Sequence, residues 1–163
     1  MRKLTFFAPL AAVLAIAVPA LAEPVTVTVT LGPDLQDQVE TLGQRDVTEQ
    51  TDRLAQVVAR TLADRRALDG ARIELILTDL KPNRPTFQQL VDRPGLDGFR
   101  SISVGGAAIE GQITTADGAV RPIRYDWYSN SIEDVRGFAT WQDADHAYRR
   151  LAVNLAAGRY TSR

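Results

Sequence analysis

Residues Ile102 to Tyr128, ISVGGAAIEGQITTADGAVRPIRYDWY, read as two long strands joined at Asp117-Gly118. From Ala107 the chain alternates, with Ala107, Ile109, Gly111 and Ile113 on one side and Ala108, Glu110, Gln112 and Thr114 on the other. A period of two marks a strand with one wet face. After the turn, Ile123, Tyr125 and Trp127 alternate with Arg124, Asp126 and Tyr128. Parity then selects the turn. A two-residue loop at Asp117-Gly118 pairs odd with even positions and places Ile109 and Ile113 on the face of Arg124 and Asp126, inverting one face. A three-residue loop, Ala116-Asp117-Gly118 with Gly118 left-handed, pairs odd with odd. It sets Ile109 opposite Tyr125, Ala107 opposite Trp127, and Glu110 opposite Arg124 on the solvated side. Pro122 has no amide hydrogen, so its amide position must face an edge or a bulge.

Upstream, Val25-Thr-Val-Thr-Val-Thr-Leu31 alternates without a flaw and predicts a strand that Gly32-Pro33 stops. Leu35, Val39 and Leu42 have helical spacing but reach only one or two loose turns before Gly43. Asp46 with Glu49 three residues later has the form of a capping box, predicting a helix from Val47 to about Arg66. Leu54, Val57, Val58, Thr61 and Leu62 line one face of it. Arg72 to Leu80 reads as a strand with Ile73, Leu75 and Leu77 on one side and Ile76 on the other, which predicts a more central position. Lys81-Pro-Asn-Arg-Pro85 is a loop, and Thr86 caps a short helix from Gln88 to Asp92. Arg100 to Val104 leads through Gly105-Gly106, a bulge or a bend, into the hairpin. A polar loop follows from Ser129 to Gly137. Thr140 then caps a last helix with Asp143 in the third position, its buried stripe including Trp141, Ala144, Tyr148, Leu151 and Leu155. The β-α-β-β-β-α order predicts a single α+β domain over residues 23–163. Its mainly antiparallel sheet has four to five strands, with two main helices packed on one face.

Met1-Arg2-Lys3 precedes an apolar run from Leu4 to Ala22 that ends Ala20-Leu21-Ala22, the form of a secretory signal peptide over residues 1–22. Pro9 and Pro19 interrupt the run, and no later apolar stretch approaches ~20 residues, so no transmembrane segment is expected after cleavage. The expected location is the periplasm or another secreted compartment. The chain has no cysteine, hence neither a lipid attachment point nor disulfides in a compartment that permits them. Cleavage after Ala22 leaves 141 of the 163 residues, a size that suits one core. Removing Arg2 and Lys3 leaves 17 basic against 20 acidic groups, interspersed along the chain. That balance gives no reason to expect nucleic acid or anionic lipid as a partner.

Little in the sequence is equipped for catalysis. His146 is the sole histidine, three residues after Asp143 on one helix face, where the two could offer a pair of metal ligands. A zinc site needs further ligands, which without cysteine must be distant carboxylates. The plainer reading is an acidic first turn beside a solvated histidine. Ser103 lies in no Gly-x-Ser-x-Gly elbow. Gly-Gly-Ala-Ala at 105–108 lacks the lysine and spacing of a phosphate loop. No cofactor and no metal are expected. Most aromatic residues fall on inward positions and belong to a core. Tyr128, Phe138 and Trp141 flank the loop from Ser129 to Gly137 and are the candidate binding residues, lining a cleft or a partner patch if that loop lies open.

The long helix after a first strand, Ser103-Val104-Gly105-Gly106-Ala107 opening a hairpin with Asp117-Gly118, and Asp143-Ala144 starting the last helix together carry a resemblance. In this organisation the chain resembles small secreted proteins of Gram-negative envelopes that assist outer-membrane assembly or transport, an uncharacterised secreted family among them. Its glycine-opened hairpin is similar to those of periplasmic domains related to the curli-secretion lipoprotein, whose lipid-anchoring cysteine it lacks. The signal peptide, the lack of catalytic equipment and a β-rich framework with an edge expected at Pro122, to which a partner strand could add, point to a non-enzymatic periplasmic protein that binds another envelope protein. The alternatives are small-ligand binding between sheet and helices, and a hydrolase using Asp143, His146 and a third group.

Overall fold

The computed structural model describes residues 23–135 and 137–162, so the expected signal peptide, residues 1–22, lies outside the described residues. The chain runs through β1 (Thr26–Leu31), α1 (Pro33–Gln36), α2 (Val39–Leu42), α3 (Gln44–Asp64), β2 (Arg72–Lys81), α4 (Phe87–Asp92), β3 (Gly106–Thr114), β4 (Val120–Tyr128), α5 (Gln142–Ala156) and β5 (Thr161–Ser162). The strands form one sheet in the order β1-β2-β3-β4-β5. Pairing is antiparallel through β2, β3 and β4 and parallel at both margins, β1 with β2 and β4 with β5. The expected α+β class and mostly antiparallel sheet are therefore what forms. Parallel neighbours need a crossover, and α3 and α5 supply the two. Both crossovers step across the sheet in the same direction, so a common right-handedness puts both helices on one face. There α3 packs against α5, and together they cover the sheet.

The hairpin has the register that parity demands. Ile109 pairs with Tyr125, Ala107 with Trp127 and Glu110 with Arg124. Thr115 N–H donates to Ala119 O at 2.9 Å, leaving Ala116, Asp117 and Gly118 as the loop, with Gly118 at φ +84°. β3 begins at Gly106 rather than Ile102, because the preceding residues bond to the 82–83 loop instead of a ladder. In β2, Leu77 pairs with Ile109 but Asp79 with Ala108, so Thr78 is an extra residue. The bulge flips parity, and Leu80 joins Ile73, Leu75 and Leu77 in the core. Ile76 is 39% exposed. β2 is thus central in its hydrogen bonding, but only one of its faces is covered.

Two helix starts differ from their expected caps. α3 begins at Gln44 behind Gly43, and no side chain caps it. Asp46, expected as the cap, lies in the first turn, where its carboxylate accepts from Trp141 Nε1 at 3.0 Å. The Thr140 cap of α5 is likewise absent, Trp141 standing at the N-cap without a side-chain bond to the helix's own amides. Asn83, a distant loop residue, does that work. Its Oδ1 accepts from Asp143 N–H at 2.9 Å and its Nδ2 donates to Asp143 Oδ2 at 2.6 Å. The backbone of Asn83 is bound as well, N–H to Thr140 O at 2.7 Å and O from Ser103 N–H at 2.9 Å. A Cβ on Gly105 would stand 2.6 Å from Asn83 Nδ2, so only glycine fits beside it. By contrast α4 has the expected Thr86 cap, completed by Gln89 as a reciprocal capping box.

Asn83→Ala strands the buried Asp143 carboxylate and its amide, and is expected to lower unfolding free energy by roughly 3 kcal/mol. Urea denaturation at neutral pH measures this directly. A loss below about 1 kcal/mol would show that α5 does not depend on the Asn83 contact.

Candidate functional site

Sheet margins and faces not covered by helices are where this architecture meets its surroundings. At the β1 margin, Thr26 N–H donates to Ala71 O at 3.0 Å and Gly32 N–H to Leu77 O at 2.8 Å, both towards β2. A strand alternates its amide directions. The N–H and C=O groups of Val27 and Val29 therefore point away from β2, to the open edge. Thr28 and Thr30 turn their hydroxyls inward to Ile73 O and Leu75 O at 3.5 and 3.4 Å. Val27, Val29 and Leu31 pack on the core yet stay partly exposed. The opposite margin is built differently. Arg124 N–H donates to Tyr160 O at 3.0 Å on the β5 side, so by the same alternation the amide position of Pro122 faces outward. Pro122 thus occupies the edge, as its missing donor requires, and β5 covers the adjoining Arg124 and Tyr125.

The face away from the helices carries cross-strand ladders. One runs Thr28, Glu74, Gln112, Pro122 and the next Thr30, Ile76, Glu110, Arg124, Thr161. Gln112 Nε2 donates to Glu74 Oε2 at 2.6 Å, and Arg124 Nε lies 3.1 Å from Glu110 Oε1. The twist of the sheet makes this face a shallow trough of about 920 Å³.

The three candidate aromatic residues occupy different surroundings, Tyr128 lining one cavity with Thr78 and Asp126 and Trp141 another with Glu49 and Arg53. Tyr128 lies half-buried at the end of β4, its hydroxyl donating to Asp79 Oδ2 at 2.6 Å and its ring 4.8 Å beneath Lys81 Nζ. Burial, then the Asp79 carboxylate, pushes its phenol above the ordinary tyrosine range. Trp141 packs against the core and is tied to α3 through Asp46. Phe138 is 77% exposed, with the Arg84 guanidinium 5.2 Å from its ring centre. Asp143 and His146 have different neighbours: the Asp143 carboxylate accepts from Asn83, and the His146 ring lies 4.4 Å from that of Trp127. No cluster of three metal-ligating side chains occurs among the described residues. The space between sheet and helices, where small-ligand binding was an alternative, holds core side chains such as Ile109, Tyr148 and Leu151.

In sequence Arg84 belongs to the loop from Lys81 to Pro85. It is 5% exposed, and its guanidinium donates to Phe99 O and, at 3.0 Å, to Gly137 O. It lines a cavity of about 390 Å³ between the 81–85 loop, α4 and the 101–104 segment. Proline on both sides, in Pro82-Asn83-Arg84-Pro85, is the sequence signal for a rigid presentation of these two residues.

No helix among the described residues is long and apolar enough to cross a membrane. No family model and no curated protein matches the chain.

The two aromatic residues of the 138–141 segment differ in duty, and truncation separates them. Trp141→Ala is expected to cost about 2–3 kcal/mol of stability through lost packing and the lost bond to Asp46. Phe138→Ala should cost no more than about 1 kcal/mol, the scale of an exposed cation–π contact. Thermal and urea unfolding of the two variants side by side would settle it, and equal losses would contradict this division.

Proposed function

We propose that this chain is a secreted, non-enzymatic binding module of a Gram-negative cell envelope, periplasmic in location. It takes an extended segment of another envelope protein alongside β1 as an added strand. One observation carries the reading: the β1 edge is open and unguarded. Natural sheets blunt exposed edges with lysine, proline or a bulge. Thr26–Leu31 carries none of these, while the opposite margin has Pro122 and β5. Strand addition draws affinity from main-chain hydrogen bonds and specificity from alternate side chains.

The edge also defines what it would accept. Helix-side residues of an added strand lie next to Val27, Val29 and Leu31; the others lie next to Thr26, Thr28 and Thr30. The matching segment alternates apolar with polar residues. Phe138, the most exposed of the candidate aromatic residues, is available for a further contact. The address rests on the basic start and apolar run of residues 1–22. The non-enzymatic reading rests on the engagement of Asp143 by Asn83 and of His146 by Trp127.

Val29→Pro removes an outward donor and leaves the β2 ladder whole, so it is expected to fold with an unchanged far-ultraviolet circular dichroism spectrum. Tagged wild type, recovered from cross-linked envelope fractions, should carry a reproducible envelope partner that the folded variant has lost. Recovery of the same partner by the variant at wild-type yield would sink strand addition at β1.

A further inference from the structure

Arg84 poses an electrostatic problem that the fold leaves unresolved. A buried cation needs an anion or a full set of acceptors, since desolvation strongly disfavours the bare charge. Two guanidinium nitrogens have backbone carbonyls, but Nε is buried with no partner, and no carboxylate forms an ion pair with Arg84 among the described residues. The acids near it in sequence are directed elsewhere. Asp92 accepts from Gln88 at 2.9 Å, and Asp97 accepts from Phe99 N–H and Arg100 N–H at 2.8 and 2.9 Å.

The cavity that Arg84 lines is chemically two-sided. Lys81 and Arg93 add cationic groups, and no acidic residue lines it. Lys81 Nζ is shared with Asp79 at 3.5 Å, whereas Arg93 forms no ion pair among the described residues. The remaining wall is largely apolar, with Leu96, Ile102 and Val104 each more than a third exposed. An apolar pocket with a few convergent polar groups is the usual form of a small-ligand site.

We infer that this cavity binds a medium-chain monocarboxylate, the carboxylate held among Arg84, Arg93 and Lys81 and the chain laid along Leu96, Ile102 and Val104. The volume of about 390 Å³ lies in the ordinary range of small-ligand sites, and decanoate is a probe of that class. A single carboxylate suits the site better than a multiply charged anion, because much of the Arg84 fork is already committed to carbonyls. The site is separate from the β1 edge, and either reading can fail without the other.

The test is calorimetric titration of the purified protein with decanoate, with decanol and acetate as controls for charge and for chain. Decanoate should bind at one site and raise the melting temperature, while decanol and acetate bind at least roughly tenfold more weakly. Arg84 also braces two loops, so the informative variants are the exposed Arg93→Glu and Val104→Glu. Both should keep the wild-type melting temperature without ligand and weaken decanoate roughly tenfold or more. Absence of decanoate binding, binding of decanol with equal affinity, or undiminished binding by both variants would each overturn the assignment.

Discussion

The carboxamide of Asn83 ties the loop after β2 to the start of α5. A primary amide carries an acceptor and a donor on one planar group, so Asn83 both accepts from the Asp143 N–H and donates to the Asp143 carboxylate. An aspartate here would set two carboxylates against each other, and an apolar residue would leave a buried acid without a donor. Once this contact is made, the start of α5 is fixed. Trp141 then stands one residue before that helix with its indole N–H on Asp46, in the first turn of α3. The same loop delivers Arg84 to the mouth of the 101–104 segment, where its guanidinium meets the carbonyls of Phe99 and Gly137. One amide thus couples α5, α3 and the only part of the surface where a buried cation lines a cavity among the described residues.

The second constraint is topological. Two crossovers of one hand, stepping in one direction, cannot cover both faces of the sheet. Every strand therefore has a helix-facing side of Ile73, Leu75, Ile109, Ile113 and Ile123 and an opposite side of threonine, glutamate, glutamine and arginine. Ile76, at 39% exposure, and Val120, at 60%, are exposed apolar residues within the second set. Antiparallel sheets tolerate a wet face, so its exposure calls for no missing layer.

What could be read from sequence was what depends on near neighbours. The hairpin register followed from parity, because Ile109 and Ile113 must share a face with Ile123 and Tyr125. The Thr86 cap was legible too, since its partners lie within one turn. The starts of α3 and α5 were not. Asp46 and Thr140 have the residue types of caps, but Asp46 is bound by a tryptophan 95 positions away, and α5 is met by an asparagine 60 positions before Asp143. The β2 bulge was hidden because Thr78 fits either face of a strand, and only Leu80 in the core betrays the slip. Of the candidate site residues, Trp141 serves the helix layer, whereas nothing local marks Arg84 within its loop. Its burial depends on contacts 15 and 53 positions away, which no local pattern encodes.

The two margins of the sheet bring these strands of argument together. At β4 the last strand is only two residues long, and Pro122 denies a donor to anything arriving beyond it. At β1 the β-branched alternation keeps six residues extended with a partner on one side only. The threonine hydroxyls there face the β2 carbonyls, so they reinforce the existing pair and do nothing to repel a new strand. Meanwhile Val27, Val29 and Leu31 are only partly buried, each retaining about 1 kcal/mol of burial that an added strand would release. Main-chain bonds alone accept any extended segment; this residual apolar strip favours one with apolar residues at alternate positions. For the strand addition proposed at β1, this strip would add a side-chain preference to the open main-chain groups of Val27 and Val29.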